Sequence, residues 1–396
     1  MTLLGIILVL LPPAILGAAY FGYPALLMLW DKLRRRPAPS LEVTEWPMIT
    51  VVVPVYNEEG AIAATLDRIL ATDYPADRRH VLVISDASSD GTDAIVAAYG
   101  DRGVELVRLA KRSGKTAAEN EAGRHLVGEI VVNMDATVVV PPDALRHLIA
   151  AFQDPTVGVA SGRDVSVGDR DQERNQGESG YVGYEMWVRR LETNCGTIVG
   201  ASGCFFAIRR ELFDSIFPEA LSRDFASPLI AREAGFRSVS VEQAVCYVAR
   251  TRSLRAEYRR KVRTMTRGLE TLWYKRALLN PFRYGRFAFF LFAHKLLRWL
   301  VFPALVLAVA GIAMLTLTTS WGWVLAVLGL LALAAGAVGY YWPAGSNAPR
   351  LLTTAAFAVR AQVAGVKAGI GALRGELNPV WEPTRRPDPI TPGGSA

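Results

Sequence analysis

The two ends of the chain limit its fold most. Residues 3–30, LLGIILVLLPPAILGAAYFGYPALLMLW, carry no charged side chain. Neither do LVFPALVLAVAGIAMLTL and WGWVLAVLGLLALAAGAVGYYW towards the other end. A helix needs about 20 apolar residues to cross the hydrocarbon core of a bilayer, so each run predicts a spanning helix. The first has no early positive charge and is longer than a signal-peptide core. Lys32, Arg34, Arg35 and Arg36 follow it and assign its C-terminal end to the cytoplasm. Pro12 and Pro13 predict a kink whose freed carbonyls need a neighbour. Trp321, Trp323, Tyr340, Tyr341 and Trp342 mark headgroup depth at the ends of the last span.

A net charge of +7 is compatible with nucleic acid or with a membrane surface. The basic residues cluster beside apolar runs and no recognition motif accompanies them, so the bilayer is the expected partner and nucleic acid is not. Cys195, Cys204 and Cys246 form no CxxC pair and read as free thiols of a reducing compartment.

Residues 48–250 alternate strands and helices. MITVVVPVYN, HVLVISDAS, VELVRLA and EIVVNMDAT are apolar runs of strands buried on both faces. EEGAIAATLDRILATD, GTDAIVAAYG, KTAAENEAGRHL and PPDALRHLIAAF read as helices, the last with prolines at its start. This order predicts a mostly parallel sheet, with ligands beyond the carboxyl ends of its strands. Asn57, Asp86 and Asp135 all fall at that rim. No internal repeat, GxGxxG or GxxxxGK[ST] loop occurs. The expected organisation is a membrane helix over 1–31, a cytoplasmic α/β domain over 32–250, and basic amphipathic interfacial helices over 251–298. Two spans over 299–342 follow, then a tail over 343–396. In the tail, Arg360, Gln362 and Lys367 leave open a third span or a surface helix. His294, Lys295 and Arg298 would be costly at mid-bilayer, so FAFFLFAHKLLRW reads as a shallow helix.

Several rim residues have two readings. Asp90 suits a helix cap. Asp86, at a strand exit, suits either a cap or a nucleoside N–H or hydroxyl. Asp135 ends an apolar strand and suits a divalent cation such as Mg²⁺ bridged to phosphate, or a turn. Lys115 stands where a helix starts and offers an anion a point charge; Asn120 is expected on the same rim one turn on. Gly200 and Gly203 permit either a ligand or a tight turn. Asp224 precedes a helix and suits either a cap or a general base.

Taken together, these stretches resemble the inverting, nucleotide-sugar-dependent glycosyltransferases of family 2 with the GT-A fold. The likeness is to the membrane-embedded branch of cellulose, chitin and hyaluronan synthases and nodulation oligosaccharide synthases. The motifs are VVVPVYNEE, SDASSDGT, SGKTAAEN, NMDATVVVPPDAL and SRDFASPLIAREAGFR, in the family's order over roughly residues 45–300. The resemblance implies a GT-A domain between N- and C-terminal membrane helices. It implies that Asn57 and Glu58 line the nucleotide loop, Asp86 holds the nucleoside, Lys115 lies near the diphosphate, and Asp135 binds Mg²⁺ or Mn²⁺. Asp224 is the implied catalytic base, with Arg260 and Arg263 near the donor. The implied donor is a nucleoside-diphosphate sugar, with UDP favoured, and the acceptor is a membrane lipid or growing polysaccharide. The implied location is a bacterial-type inner membrane, with the catalytic domain cytoplasmic. Three positions depart from the pattern. Thr137 replaces a second metal-binding aspartate, Arg223 replaces the glutamate of an ED pair, and Arg263–Thr264 stands where polymer-making members carry Arg-Trp. Single-sugar transfer to a lipid or lipid-linked glycan is therefore the near alternative to polymer synthesis. A non-catalytic nucleotide-binding transport or scaffold protein is the remote one.

Overall fold

A computed structural model describes residues 1–34, 43, 45–167, 176–213, 217–249, 254–342 and 349–374. The chain forms two compact units. One comprises the described residues of Met1–Met28, Leu254–Leu269 and from Leu279 onward, and the other those of Leu29–Ser253 and Glu270–Leu278.

The second unit is built on an eight-stranded sheet. Its strands are β1 (Ile49–Val55), β2 (Arg79–Ser85), β3 (Val104–Arg108), β4 (Ile130–Met134), β5 (Val138–Val139), β6 (Val157–Val167), β7 (Phe205–Arg209) and β8 (Arg237–Ala249). Their order is β3-β2-β1-β4-β7-β6-β8-β5. The first four pair in parallel, as the apolar runs predict. β7 then enters antiparallel between β4 and β6, and β5 closes antiparallel on β8. β6 pairs with β8 in parallel, so four of the seven pairings among the described residues are parallel and three antiparallel, and the sheet is mixed. The apolar runs do not disclose this, because a buried antiparallel strand such as β7 is as apolar as a parallel one.

The continuous apolar runs are explained by two cores. Side chains alternate across a strand, so Val51 and Val53 of β1, Val81 and Val83 of β2 and Val132 of β4 join Ile62, Leu66 and Ile69 on one side. Val52, Leu82, Ile84 and Val131 join Ala118, Ala122, Leu212 and Ala231 on the other. Helices Lys115–Ala122 and Arg223–Glu233 therefore cover the same sheet face. That shared face brings their N-termini, with Lys115 and Asp224, to one locality.

Among the described residues, three helices are long and apolar enough to cross a membrane: Thr2–Leu33, Arg286–Thr318 and Ser320–Gly339. The first runs through Pro12 and Pro13 without a break and contains a π turn at Ala18–Gly22. Gly5 and Gly311 mark its crossing with Leu297–Thr318: a β-carbon on Gly311 would lie 2.9 Å from the Gly5 carbonyl oxygen. Such small residues let helices approach in a solvent with no hydrophobic drive between them. The segment expected to end as a shallow helix at 298 instead continues through a π turn at Phe292–Leu296 into one helix. His294 is buried beside the Tyr23 ring, and the Arg298 guanidinium lies 4.9 Å from the Tyr20 ring centroid. Shielding of these two side chains within the bundle reduces the cost that argued against a span. Helix Arg350–Arg374 packs on Ser320–Tyr341, where a β-carbon on Gly339 would stand 2.2 Å from the Leu352 carbonyl oxygen. Of the two readings of the tail, the structure gives a helix packed in the bundle, with Ala356, Ala364 and Ala368 buried.

Where β6 and β8 begin, Arg237 Nη2 donates to Asp154 Oδ2 at 2.5 Å, and Thr156 donates to Asp154 through its amide and hydroxyl. Burial alone would raise the Asp154 carboxyl, but these donors outweigh it and hold its pKa at about 2. Asp154 therefore adds stability that is fully present above the ordinary carboxylate range and disappears as pH falls through about 2. Asp154→Asn should lower the melting temperature at pH 7, and the gap from the parent should close between pH 4 and pH 2.

Candidate active site

The loop after β1 and the loop after β2 are laced together by side chains on main chain. Asn57 takes the left-handed conformation, φ +53°, which asparagine tolerates better than most residues. Its Oδ1 accepts from the Ser89 amide at 2.8 Å, and its own amide donates to Ser88 Oγ at 3.1 Å. Glu58 is buried, and its amide donates to Thr92 Oγ1 at 2.8 Å. While Gly91 is the N-cap residue of helix Thr92–Ala97, Asp90 accepts from the Thr92 amide and hydroxyl and the Glu59 amide, which ties the turn before that helix to the loop after β1. Burial pushes its carboxyl up, but these hydrogen bonds outweigh it and hold the group below its ordinary value.

Asp86 is 2% exposed. Its Oδ1 accepts from the Ser113 amide at 2.6 Å and its Oδ2 from the Gly114 amide at 2.8 Å. The residue expected to meet a nucleoside therefore braces β2 to the turn that launches helix Lys115–Ala122. Gly114 makes that turn at φ +100°, a conformation glycine adopts without strain.

Lys115 is the hub of the site. Its Nζ donates to Asp135 Oδ1 at 2.6 Å and to the Gly203 carbonyl oxygen at 2.9 Å. Burial alone would lower its pKa, but the carboxylates of Asp135, Glu119 and Asp224 together raise it. Asp135 leaves β4 with its amide donating to the Cys204 carbonyl, which ties it to the strand entering β7. Asp224 lies in the first turn of Arg223–Glu233, while Ser222 is the N-cap residue. Asp224 Oδ1 accepts from Ser222 Oγ, so the carboxylate of Asp224 is not the helix cap. A β-carbon on Gly203 would stand 3.1 Å from Asp224 Oδ2. Gly203 thus leaves the space beside which Lys115 and Asp224 come together with Asp135.

Other residues fall elsewhere than expected. Asn120 does not face the rim: its Nδ2 donates to the Phe217 carbonyl at 2.7 Å and its Oδ1 accepts from the Phe217 amide. Arg223, which stands in place of a glutamate, turns to the facing helix. It is 3% exposed, with Nε 3.6 Å from Glu119 Oε2 and Phe213 under its guanidinium. Arg260 and Arg263 lie on helix Leu254–Tyr274, in its Leu254–Leu269 part, which belongs to the helical unit.

Asp164 on β6 was not anticipated. Its Oδ1 accepts from Ser202 Oγ at 2.5 Å. Burial raises its pKa, the nearby charges of Asp135 and Asp224 push the same way, and Arg189 and Ser202 oppose them. The only sequence signal was one acid in the polar half of a long strand, indistinguishable from a surface position.

Against this geometry, residues 50–217 match the family described as Glycosyl transferase family 2. They form a glycosyltransferase family 2 domain. The fold is GT-A: a mannosyltransferase from Pyrobaculum calidifontis, solved with GDP-Man and Mn²⁺, matches at a TM-score of 0.69 and 27% identity, covering 93% of this chain and 99% of that one. An N-acetylglucosaminyltransferase of Rhizobium sp. (strain N33) is 25% identical over 253 residues, 59% of this chain and 55% of that protein. A beta-monoglucosyldiacylglycerol synthase of Trichormus variabilis is 28% identical over 174 residues, 43% of this chain and 37% of that protein. The chain thus spans about half or less of the length of these curated relatives. In the family 2 domain, the Asp86 brace predicts a stability effect. Hydrogen bonds to a charged acceptor contribute about 1.5–3 kcal/mol each, so Asp86→Asn should cost about 2 kcal/mol. Thermal unfolding in detergent checks this, and an unchanged melting temperature would remove the brace.

Proposed function

We propose that the protein is a membrane-bound inverting glycosyltransferase, moving a sugar from a nucleoside diphosphate to a lipid or glycan acceptor at the membrane. The observation that carries this reading is the meeting of Lys115, Asp135 and Asp224 around Gly203. Likeness to the mannosyltransferase with bound GDP-Man, to the N-acetylglucosaminyltransferase and to the glycolipid synthase supports it.

In this reading Asp224 takes the proton of the acceptor hydroxyl. The oxygen then forms the new bond to the anomeric carbon as the sugar–phosphate bond breaks on the opposite side, and the nucleoside diphosphate leaves with the electron pair. Lys115 offsets the charge gathering on the leaving diphosphate, where a preorganised cation acts without reorganisation. Asn57, Glu58 and Asp86 shape the nucleotide rim through the bonds described above.

A divalent cation is the implied cofactor, and the donor set allows a test of fit. Among the described residues no three His, Cys, Asp or Glu side chains stand close enough to hold a metal. Asp135 is one carboxylate already engaged with a cation, the Lys115 ammonium. That set fits Mg²⁺ or Mn²⁺ held chiefly by diphosphate and water. When bound, such an ion would neutralise phosphate charge as a Lewis acid. Asp135 would hold it, and Lys115 would turn from Asp135 to the diphosphate.

The three candidate spans support a multi-pass protein of the plasma membrane. The basic cluster after the first span supports a cytoplasmic catalytic domain, on the side of the nucleotide-sugar pool. Polymer synthesis and single-sugar transfer differ in product length. Thr264, in place of a stacking tryptophan, favours short addition.

Incubation of the purified full chain with a panel of UDP- and GDP-sugars should release nucleoside diphosphate with at least one of them. A labelled product then runs as one band or as a ladder. Asp224→Asn should cut turnover by about 10²–10⁴-fold while nucleotide binding, read by calorimetry, stays within a few fold. Retained turnover would return Asp224 to a structural role. Asp135→Ala should abolish the divalent-dependent part of donor binding, and undiminished Mn²⁺-dependent binding would remove Asp135 from the site.

A further inference from the structure

The helix carrying the lysine and the helix carrying the base are joined by buried charge. Glu119 is 2% exposed and lies one turn after Lys115. Its Oε1 is 3.9 Å from Lys115 Nζ, and its Oε2 is 3.6 Å from Arg223 Nε. Arg223, also buried, has its guanidinium 4.6 Å from the Phe213 ring centroid and 5.6 Å from that of Phe217. Its Nη2 donates to Asn120 Oδ1, and Asn120 holds the Phe217 main chain on both its amide and carbonyl. One turn back, Thr116 Oγ1 donates to the Leu221 carbonyl at 3.0 Å. Helix Lys115–Ala122 thus grips the chain leading into Arg223–Glu233 at several points, and Asp224 is the residue after the gripped arginine.

We propose that Glu119 and Arg223 are positioning residues: the buried chain Lys115–Glu119–Arg223 sets the spacing between the diphosphate-side lysine and the base Asp224. The proposal rests on the glycosyl-transfer reading above.

The physical argument starts from the arginine. A guanidinium among phenyl rings is stable only with a counter-charge, because desolvation of a lone ion costs several kcal/mol. Burial lowers the pKa of Arg223 and Glu119 opposes that, in keeping with a pair. The same carboxylate faces the Lys115 ammonium through its other oxygen. One acid therefore fixes both a lysine that meets the donor and the first turn that aims the base. Arg223 stands where the resembled family has a glutamate, and here a carboxylate at this locality comes from the facing helix. The Arg223 guanidinium is committed to Glu119 and Asn120.

Removing one partner strands a buried charge, whereas removing both leaves a neutral pair. Glu119→Gln and Glu119→Gln/Arg223→Gln therefore separate folding from positioning. In the full chain in detergent, Glu119→Gln should lower both the melting temperature and kcat. The double variant should regain most of the melting temperature, while kcat stays down on the order of 100-fold, the loss a misplacement near 1 Å produces. Donor KM should move less than threefold. Amide exchange at Phe225–Ser227, in the first turn of the base helix, should be at least tenfold faster in the double variant than in the parent. A kcat and an exchange rate that both return with the melting temperature would make the chain merely structural and overturn the proposal. Glu119→Gln with parental kcat would overturn it too. If the parent turns over no donor, the transfer reading fails, and the exchange measurement still decides whether the chain holds the base helix.

Discussion

The ammonium of Lys115, held between the Asp135 carboxylate and the Gly203 carbonyl, is the contact on which the rest of the α/β unit depends. It joins three pieces of chain that are far apart in sequence: the helix start after β3, the exit of β4, and the strand entering β7. A half-buried ammonium is stable only among acceptors, and the acceptors here belong to two neighbouring strands. Both strand exits therefore have to end at the height of the lysine. The Asp86 carboxylate fixes that height by holding the Ser113 and Gly114 amides, so a negative charge in one loop sets the position of a positive charge in the next.

The residues at the parallel strand exits were legible in the sequence because each apolar run stops at a polar residue. Asn57, Asp86 and Asp135 could be placed on one rim from that rule alone. Their contacts could not. Whether a rim aspartate meets main-chain amides or a ligand depends on which loop folds over it, and nothing in SDASSDGT encodes the approach of Ser113 and Gly114. The direction of β7 was also hidden, since FFAIR is as apolar in either orientation. Glu119 and Asp164 escaped for a shared reason. An acid in a helix or at the polar end of a strand is usually solvated, and only the tertiary fold turns it inwards.

The helical unit shows the same limit from the other side. Composition correctly located apolar helices, but it split the segment around 298 because His294 and Arg298 look too costly for a span. The structure surrounds these groups with Tyr20 and Tyr23, so the cost is offset by aromatic and bundle contacts that a hydropathy sum omits. Glycine sets where helices meet: Gly5 with Gly311, and Gly339 with Leu352. Those positions were unremarkable in sequence, because a glycine in an apolar helix has no visible partner until the crossing is known.

Charge in the α/β unit is arranged in alternation rather than in patches. Asp135 faces Lys115, Lys115 faces Glu119, and Glu119 faces Arg223. Each inner member meets an opposite charge on two sides, which offsets the desolvation that would otherwise neutralise it. Asp135 and Lys115 form the outermost link, and the links through Glu119 lie deeper, with Glu119 2% and Arg223 3% exposed. The Glu119–Arg223 link joins the two helices from behind the lysine, and its two side chains are the ones most fully withdrawn from solvent.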